Sequence, residues 1–353
     1  MKKIAKVLLD KLRNRLHNNV MSNRLRNYAF TMDDIAQELG LSKSTVSRAL
    51  SNSGRISIET KDRVREYARI HGFKPNFVAK ALAGKKTLNI AVVMPFEANA
   101  TQMMFFHECL SGIVSASSKK GYSVLVCMTE NNDNEILKTA IDDGKVDAVI
   151  LTQLKHDDKN VAFLKKTGFP FVVIGSGADD SVVHVDSKMK ESCSDFTLLC
   201  AKNLSDEAQV LFVCGSLDVE ANNNRLSGFL SGMERIKEKS LQYAVCTEVS
   251  DLSDEISLKN WDLVLCSDDV VCMQVLDVLK KKKIEIGSEM QIASFHDSIL
   301  LETHSPGISA VKVDAFALGE KSSELSLRLA DGEECETVNY VDCSFVMRES
   351  TRV

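Results

Sequence analysis

The sequence predicts an α/β protein: a small all-helical, basic head, a short hinge helix, and a two-lobed core built on parallel sheets. Charge is the first observation behind this reading. Residues 1–87 hold 19 Lys+Arg against 7 Asp+Glu, a net +12, whereas residues 88–353 hold 25 against 42, a net −17. The second is that residues 31–74 break into three short amphipathic stretches punctuated by Gly and Ser/Asn clusters. The third is that from Leu88 onward short apolar runs alternate with amphipathic ones, in two similar series. A basic segment on an acidic one suggests a polyanion-binding module attached to a body that avoids polyanions.

At 353 residues the chain is expected to form about two or three domains, and 44% hydrophobic content is enough for a sizeable core. No apolar run approaches the ~20 residues that a bilayer crossing needs, so an integral membrane protein is not expected. All ten Cys lie beyond residue 87, several of them inside apolar runs, such as Cys127, Cys214 and Cys266. With no CxxC and no Cys/His cluster at zinc-finger spacing, these read as reduced core thiols of a cytoplasmic protein, with neither a disulfide framework nor a metal site. The opening MKKIAKVLLDKLRNRL is basic, but Lys6, Asp10 and Lys11 interrupt any secretory apolar region. Residues 1–30 stand apart as a basic extension, either an added DNA-contacting arm or a stretch ahead of a true start at Met21.

The head, residues 31–74, reads as three helices. Thr31 followed by Asp34 is a capping-box pattern, with Ile35, Ala36 and Leu39 on one face before a stop at Gly40. Ser42 caps a second helix in which Val46 and Leu50 share a face, ended by Ser51-Asn52-Ser53-Gly54. Ser57 caps a third, with Val64 and Ala68 inward and Gly72 closing it. Two helices joined by a three- or four-residue turn, the second with a polar face, form a helix-turn-helix, whose second helix enters the DNA major groove. Lys43 and Arg48 can donate to guanine or phosphate, and Ser44, Thr45 and Ser47 can reach phosphate or base edges. A plain helical hairpin with a solvated face is the competing reading.

Residues 75–87, PNFVAKALAGKKT, form the joint. After Pro75, Val78, Ala79, Ala81, Leu82 and Ala83 make just over two helical turns before Gly84, a length marginal in isolation and suited to folding on binding. Beyond it, residues 88–353 divide into lobe 1, about 88–186 plus 308–337, and lobe 2, about 187–307 plus 338–353. Open parallel sheets bind ligands beyond the carboxyl ends of their strands, which directs attention to the loops after Met94, Val126, Ile174, Cys266 and Phe295.

TMDDIAQELGLSKSTVSRALSN, the ISxxTKxRVxE third helix and PNxxAxxLAGKKT resemble the LacI/GalR family of bacterial transcription regulators. NIAVVMP, FFHECLSGI, GYSVLV, KVDAVIL, NNNRLSGF, LVLCSDD and IASFHD resemble that family's periplasmic-binding-protein-like core. The resemblance spans residues 31–353, specific in the head and looser in the body. It implies a recognition helix presenting Lys43, Ser44 and Arg48, with Thr45 and Ser47 on the backbone side and Ser42 and Asn76 completing the DNA-facing set. It also implies that Leu82, flanked by Ala79, is a wedge that unstacks base pairs at the centre of a palindrome, a cost recovered through contacts to bent DNA.

For the cleft, the resemblance implies an effector site. Arg225 in NRLSGF matches the family's ligand-holding Arg, a group suited to clamping a planar anion or vicinal hydroxyls. Three positions depart: SFHD places His296 where an Asp is usual, CSDD places Ser267 ahead of Asp268, and VVIG places Gly175 where some relatives are acidic. The expected effector-binding set is Phe105, Arg225, Ser267, Asp268 and His296, for a sugar or sugar derivative, an anionic one among the options. Of Phe105 and Phe106, one faces the ligand and the other the core, since adjacent residues cannot share a direction. His107 is expected at the surface.

The function implied is a sequence-specific DNA-binding regulator, a repressor, acting as a homodimer on a palindromic double-stranded operator, with pairing into tetramers left open. A constitutive regulator that has lost its effector is the alternative. An enzyme is not expected, because GxSxG, GxxxxGK[ST] and GxGxxG are all absent from the sequence, and no cofactor is expected either. An exported solute receptor would share the core but have no use for the basic head.

Overall fold

The computed structural model describes residues 31–50, 55–71, 73, 86–96, 100–130, 133–175, 181–236, 238–247 and 252–352. The chain divides between Lys85 and Lys86 into two compact units. In the first, helices α1 (Met32–Leu39), α2 (Lys43–Leu50) and α3 (Ile58–Ile70) pack around Ile35, Ala36, Val46, Ala49, Val64 and Ala68. The capping box at Thr31 is formed: the Thr31 backbone N–H donates to Asp34 Oδ2 at 2.8 Å, and the Asp34 N–H donates to Thr31 Oγ1 at 3.3 Å. Gly40, at φ 64°, ends α1 in the left-handed conformation that glycine adopts without penalty. Ser42 accepts from the Thr45 N–H at 3.1 Å and Ser57 from the Thr60 N–H at 3.2 Å, so each helix has a local start signal. With six small or medium side chains at its centre, this unit has little apolar area from which to draw stability. The proposed extension, residues 1–30, and the hinge residues up to 85 lie outside the described residues.

The second unit holds two six-stranded sheets. Its elements in chain order are β1 (Asn89–Pro95), α4 (Ala100–Lys119), β2 (Ser123–Thr129), α5 (Glu135–Asp142), β3 (Ala148–Leu151), α6 (Lys159–Thr167), β4 (Phe171–Ile174), β5 (His184–Asp186) and α7 (Met189–Ala201). They continue with β6 (Gln209–Val213), α8 (Glu220–Arg235), β7 (Gln242–Cys246), α9 (Leu252–Leu258), β8 (Leu263–Cys266), α10 (Asp269–Lys282), β9 (Gln291–Ser294) and α11 (Ile299–Thr303). The chain ends with β10 (Ser309–Val313), α12 (Ala315–Ala330), β11 (Val338–Tyr340) and β12 (Cys343–Val346). The sheet orders are β11-β5-β4-β3-β1-β2 and β12-β10-β9-β8-β6-β7. Every pairing is parallel except β12 on β10. Central strands such as β1, β3 and β8 are buried on both faces, which explains their unbroken apolar runs.

The lobe boundaries differ from those read in the sequence. Strand β10 pairs with β9 in the second sheet, with Ala310 opposite Ser294, rather than opening a return to the first. Strand β11 pairs with β5 in the first sheet, with Asn339 opposite Val185. The chain therefore crosses between sheets three times: after β5, between β10 and α12, and between β11 and β12. An apolar run such as ISAVKV carries a strand period but no address, so periodicity alone leaves the receiving sheet undetermined. Helix α12 packs on α4 in the first lobe at backbone distance: a Cβ on Gly319 would collide with the Cys109 carbonyl, and one on Gly112 with that of Phe316. Ser117 and Ser323 hydroxyls meet at 2.8 Å in the same buried seam.

Candidate functional site

In the head, α2 buries Val46 and Ala49 and turns Lys43, Ser44, Ser47 and Arg48 outward, with Ser42 exposed and Thr45 half-buried. Spacing makes this unavoidable: Val46 and Ala49 lie three apart on one helix face, and the polar residues fill the remainder. Ser42 Oγ is 2.8 Å from both Ser44 Oγ and Thr45 Oγ1, and Lys43 Nζ donates to Asp33 Oδ2 at 2.8 Å. Both ends of that ion pair are well exposed, so solvent leaves it little strength. Arg63 Nη2 donates to the Leu39 carbonyl at 2.8 Å, tying α3 to the end of α1. Asn76, Ala79 and Leu82 lie outside the described residues.

In the body, a cavity at the carboxyl ends of the strands encloses about 1010 Å³, open solvent at its mouth included. Phe105, Arg225, Asp268 and His296 line it, four of the five residues expected there. Ser267 does not. It is fully buried behind the wall, where its Oγ accepts from the Gly215 N–H at 3.2 Å and donates to Asp268 Oδ2 at 3.4 Å. As the first residue past β8, its side chain turns into the turn that follows β6, which leaves the cavity to Asp268 and Asp269. Of the loops singled out, those after Ile174, Cys266 and Phe295 reach this cavity through Gly175, Asp268, Asp269 and His296. Pro95 and Thr129, at the ends of β1 and β2, instead line a smaller neighbouring cavity that Gln153 shares.

Phe106 is buried in the lobe 1 core and shows only its margin to the cavity. Phe105 is half-buried and sets its ring edge-on to the imidazole of His296, with centroids 5.4 Å apart at 80°. His107 is exposed.

The polar groups form a linked set. Arg225 Nη1 donates to Asn222 Oδ1 at 3.0 Å and to Asp268 Oδ2 at 3.4 Å. Asp268 also caps α10, its Oδ1 accepting from the Val271 N–H at 2.9 Å. His296 Nδ1 is 3.4 Å from Asp269 Oδ1, and Asp269 is only 3% exposed. Burial pushes the Asp269 carboxyl up, but the hydrogen bonds from His296 and Ser298 and the charges of His296 and Arg225 outweigh it, leaving the group below the ordinary carboxylate range. Asp186, at the end of β5, moves the opposite way: burial dominates and raises it, despite the Met189 N–H donating to its Oδ2 at 3.2 Å. Two atoms of lining residues are buried without a hydrogen-bond partner, Arg225 Nε and Asp269 Oδ2.

Sequence reasoning missed Asp186, Asn222 and Asp269. The adjacent acids in CSDD did signal Asp269, because a carboxylate at the first position of a helix points back toward the strand end. Asp297, the one acid of SFHD, leaves the cavity: Arg348 grips it through Nη1–Oδ1 at 2.8 Å and Nη2–Oδ2 at 2.9 Å. Among the described residues no group of His, Cys, Asp and Glu has the arrangement of a metal site. The buried thiols are poor nucleophiles, since burial raises Cys193 and Cys200 well above the ordinary range and Cys214 to about 11. No helix among the described residues is long and apolar enough to cross a membrane.

Residues 31–76 match "Bacterial regulatory proteins, lacI family", and residues 208–351 match "Periplasmic binding protein-like domain". The chain carries a lacI-family DNA-binding head and a periplasmic-binding-protein-like body. Its relatives are DNA-binding transcription regulators. It is 28% identical over 337 residues to the HTH-type transcriptional regulator MalR of Staphylococcus xylosus, covering 91% of this chain and 98% of that one. It is 24% identical over 339 residues to the HTH-type transcriptional regulator RegA of Clostridium saccharobutylicum, covering 92% and 99%. Among solved structures, the Lac repressor dimer bound to operator and the anti-inducer ONPF aligns with a TM-score of 0.73 at 20% identity, over 92% of this chain and 99% of that one. The complex of the transcriptional regulator CelR with cellobiose aligns at 0.65 and 20%, over 91% and 99%. These structural likenesses establish the fold.

Proposed function

We propose that this chain is a LacI-family repressor that binds a palindromic operator as a dimer and is controlled by a small hydroxylated effector in the cavity between its lobes. The observation that carries the DNA reading is the outward face of α2, where Lys43, Ser44, Ser47 and Arg48 surround no apolar residue while Val46 and Ala49 close the core behind them. In this reading Lys43, Ser44 and Arg48 meet base edges, Ser42, Thr45 and Ser47 meet the backbone, and Asn76, Ala79 and Leu82 act at the minor groove. Dimerisation is supported by the outermost strands of both sheets, which expose Leu125 and Val126 on β2 and Tyr243 and Val245 on β7. The test is binding of the full chain to DNA from its own upstream region, measured against salt. A preference over random DNA that Arg48→Ala weakens supports the reading; a steep salt dependence without preference reduces it to non-specific binding.

The effector reading rests on the cavity's polar groups beside the Phe105 ring. Arg225, held toward Asn222 and Asp268, and the carboxylates that line the cavity give it the donors and acceptors that sugar hydroxyls use. The anionic option is set aside, because four lining carboxylates, Asp186, Glu220, Asp268 and Asp269, face a single guanidinium. Effector binding would shift DNA occupancy only through unequal affinity for two lobe arrangements, typically a coupling of about 1–3 kcal/mol.

A further inference from the structure

We infer that the two lobes carry their own latch, a backbone pairing of Leu154–His156 in lobe 1 with Asp218–Glu220 in lobe 2, and that the cavity opens only when this pairing breaks. Two hydrogen bonds make it. The His156 N–H donates to the Asp218 carbonyl at 2.9 Å, and the Glu220 N–H donates to the Leu154 carbonyl at 3.1 Å. Lys155 and Val219 stand opposite each other between these bonds as a single antiparallel rung. The rung joins segments that leave different sheets, one following β3 and the other following β6. It is made by atoms of the protein alone, so it goes beyond the effector reading and does not depend on which molecule the cavity takes.

Each side of the latch is held in place by its own lobe. In lobe 1, Leu154 is buried in the core, and the Lys155 N–H donates at 3.2 Å to Oδ2 of Asp158, the residue that caps α6. In lobe 2, Asn222 Nδ2 donates to the Ser216 carbonyl at 2.9 Å and Asn223 Nδ2 to the Leu217 carbonyl at 2.8 Å, which folds the loop back on the first turn of α8. Val219, just ahead of α8, gives the helix no side-chain cap, and the Leu154 carbonyl of the other lobe takes its first N–H instead. That first turn also carries Asn222, which accepts from Arg225 at 3.0 Å, and Leu154, Val219, Glu220 and Asn222 all line the cavity. Two preformed edges that meet through backbone alone have two positions, paired or apart. Parting the lobes removes the cap of the helix that holds Arg225, so closing the cavity and completing its wall are one event.

The test replaces Glu220 in the full chain. Glu220→Pro deletes the donor at the first helical position, where proline fits, and Val219 already has the extended backbone, φ −93° and ψ 118°, that proline asks of its predecessor. Glu220→Ala removes the same side chain and keeps the N–H. Hydrogen exchange is read at the His156 amide, which lies in the other lobe on the bond left unaltered, and at the Phe229 amide inside α8. The His156 amide is expected to exchange slowly in the parent, although its side chain is 74% exposed, and at least about tenfold faster in Glu220→Pro than in Glu220→Ala, with Phe229 unchanged. Equal rates at His156 in the two variants, or free exchange there in the parent, overturn the latch. If the proline also speeds exchange at Phe229, the parent decides: slow exchange at His156 supports the latch and free exchange overturns it. No sugar enters this experiment, so its outcome is separate from the fate of the effector reading.

Discussion

His296 sets Nδ1 3.4 Å from Asp269 Oδ1 across the junction of β9 and α10, and it holds the edge of Phe105 on its other side. The arrangement makes His296 a support for the acid as much as a contact for ligand. His296→Ala should therefore leave Asp269 buried with neither oxygen hydrogen-bonded to the imidazole. The expected loss is about 1–3 kcal/mol in the urea unfolding of the body. His296→Asn, which can still donate, should recover part of it.

Asp269 and Asp186 should respond to acid in opposite directions. The native state holds Asp269 below its ordinary value, so its contribution to stability is complete above the carboxylate range and is lost as pH falls through the depressed native value. Asp269→Asn should accordingly flatten the acid limb of the melting curve against pH.

For Asp186 the native value is raised, so the folded state binds the proton more tightly, and stability is lost as pH rises through the raised native value. Asp186→Asn should melt at a higher temperature than the parent at pH 7, with the gap closing as pH falls below the ordinary carboxylate range. A lower melting temperature at pH 7 would show that the Met189 bond matters more than the buried charge.

Ser267→Ala separates wall from support. Removing Oγ leaves the Gly215 N–H without its acceptor and Asp268 without one donor, at an expected cost of about 1–3 kcal/mol. Once stability is restored by lower temperature, ligand affinity in calorimetry should fall far less than in Arg225→Ala, whose side chain lines the cavity.

The seam between α4 and α12 predicts that Gly319→Ala, one methyl group, costs about 1–3 kcal/mol by overpacking, because the obstacle is the Cys109 backbone carbonyl rather than a side chain that can turn away. Gly332→Ala, where a Cβ meets open space, tests backbone conformation alone, since that residue sits at φ 78°.

Much of this molecule was legible in its sequence because the relevant signals are local. The cap at Thr31, the stop at Gly40 and the inward Val46, with Leu50 packed against the same core, each follow from residues within a turn of one another, whereas Ala49, which is buried beside them, was not singled out. The alternation from Leu88 onward similarly gave the parallel sheets. What escaped depends on distance in space. Nothing near Ser309 tells it to pair beside β9, and nothing in CSDD tells Ser267 to turn inward while Asp269 turns to the cavity. Those outcomes are fixed by the Gly215 turn 52 residues away and by the neighbouring sheet.

The three passages between the sheets also bear on how the body moves. One tether would let the halves swivel freely, whereas three side by side leave chiefly a rotation about the line joining them. Lys188, in the left-handed region at φ 53°, Asp314, and the Val341-Asp342 link between β11 and β12 are where backbone torsion would have to absorb it. A protease nick at any one of the three should leave a body whose pieces stay together, and stiffening one with proline should slow opening of the cavity without touching its walls.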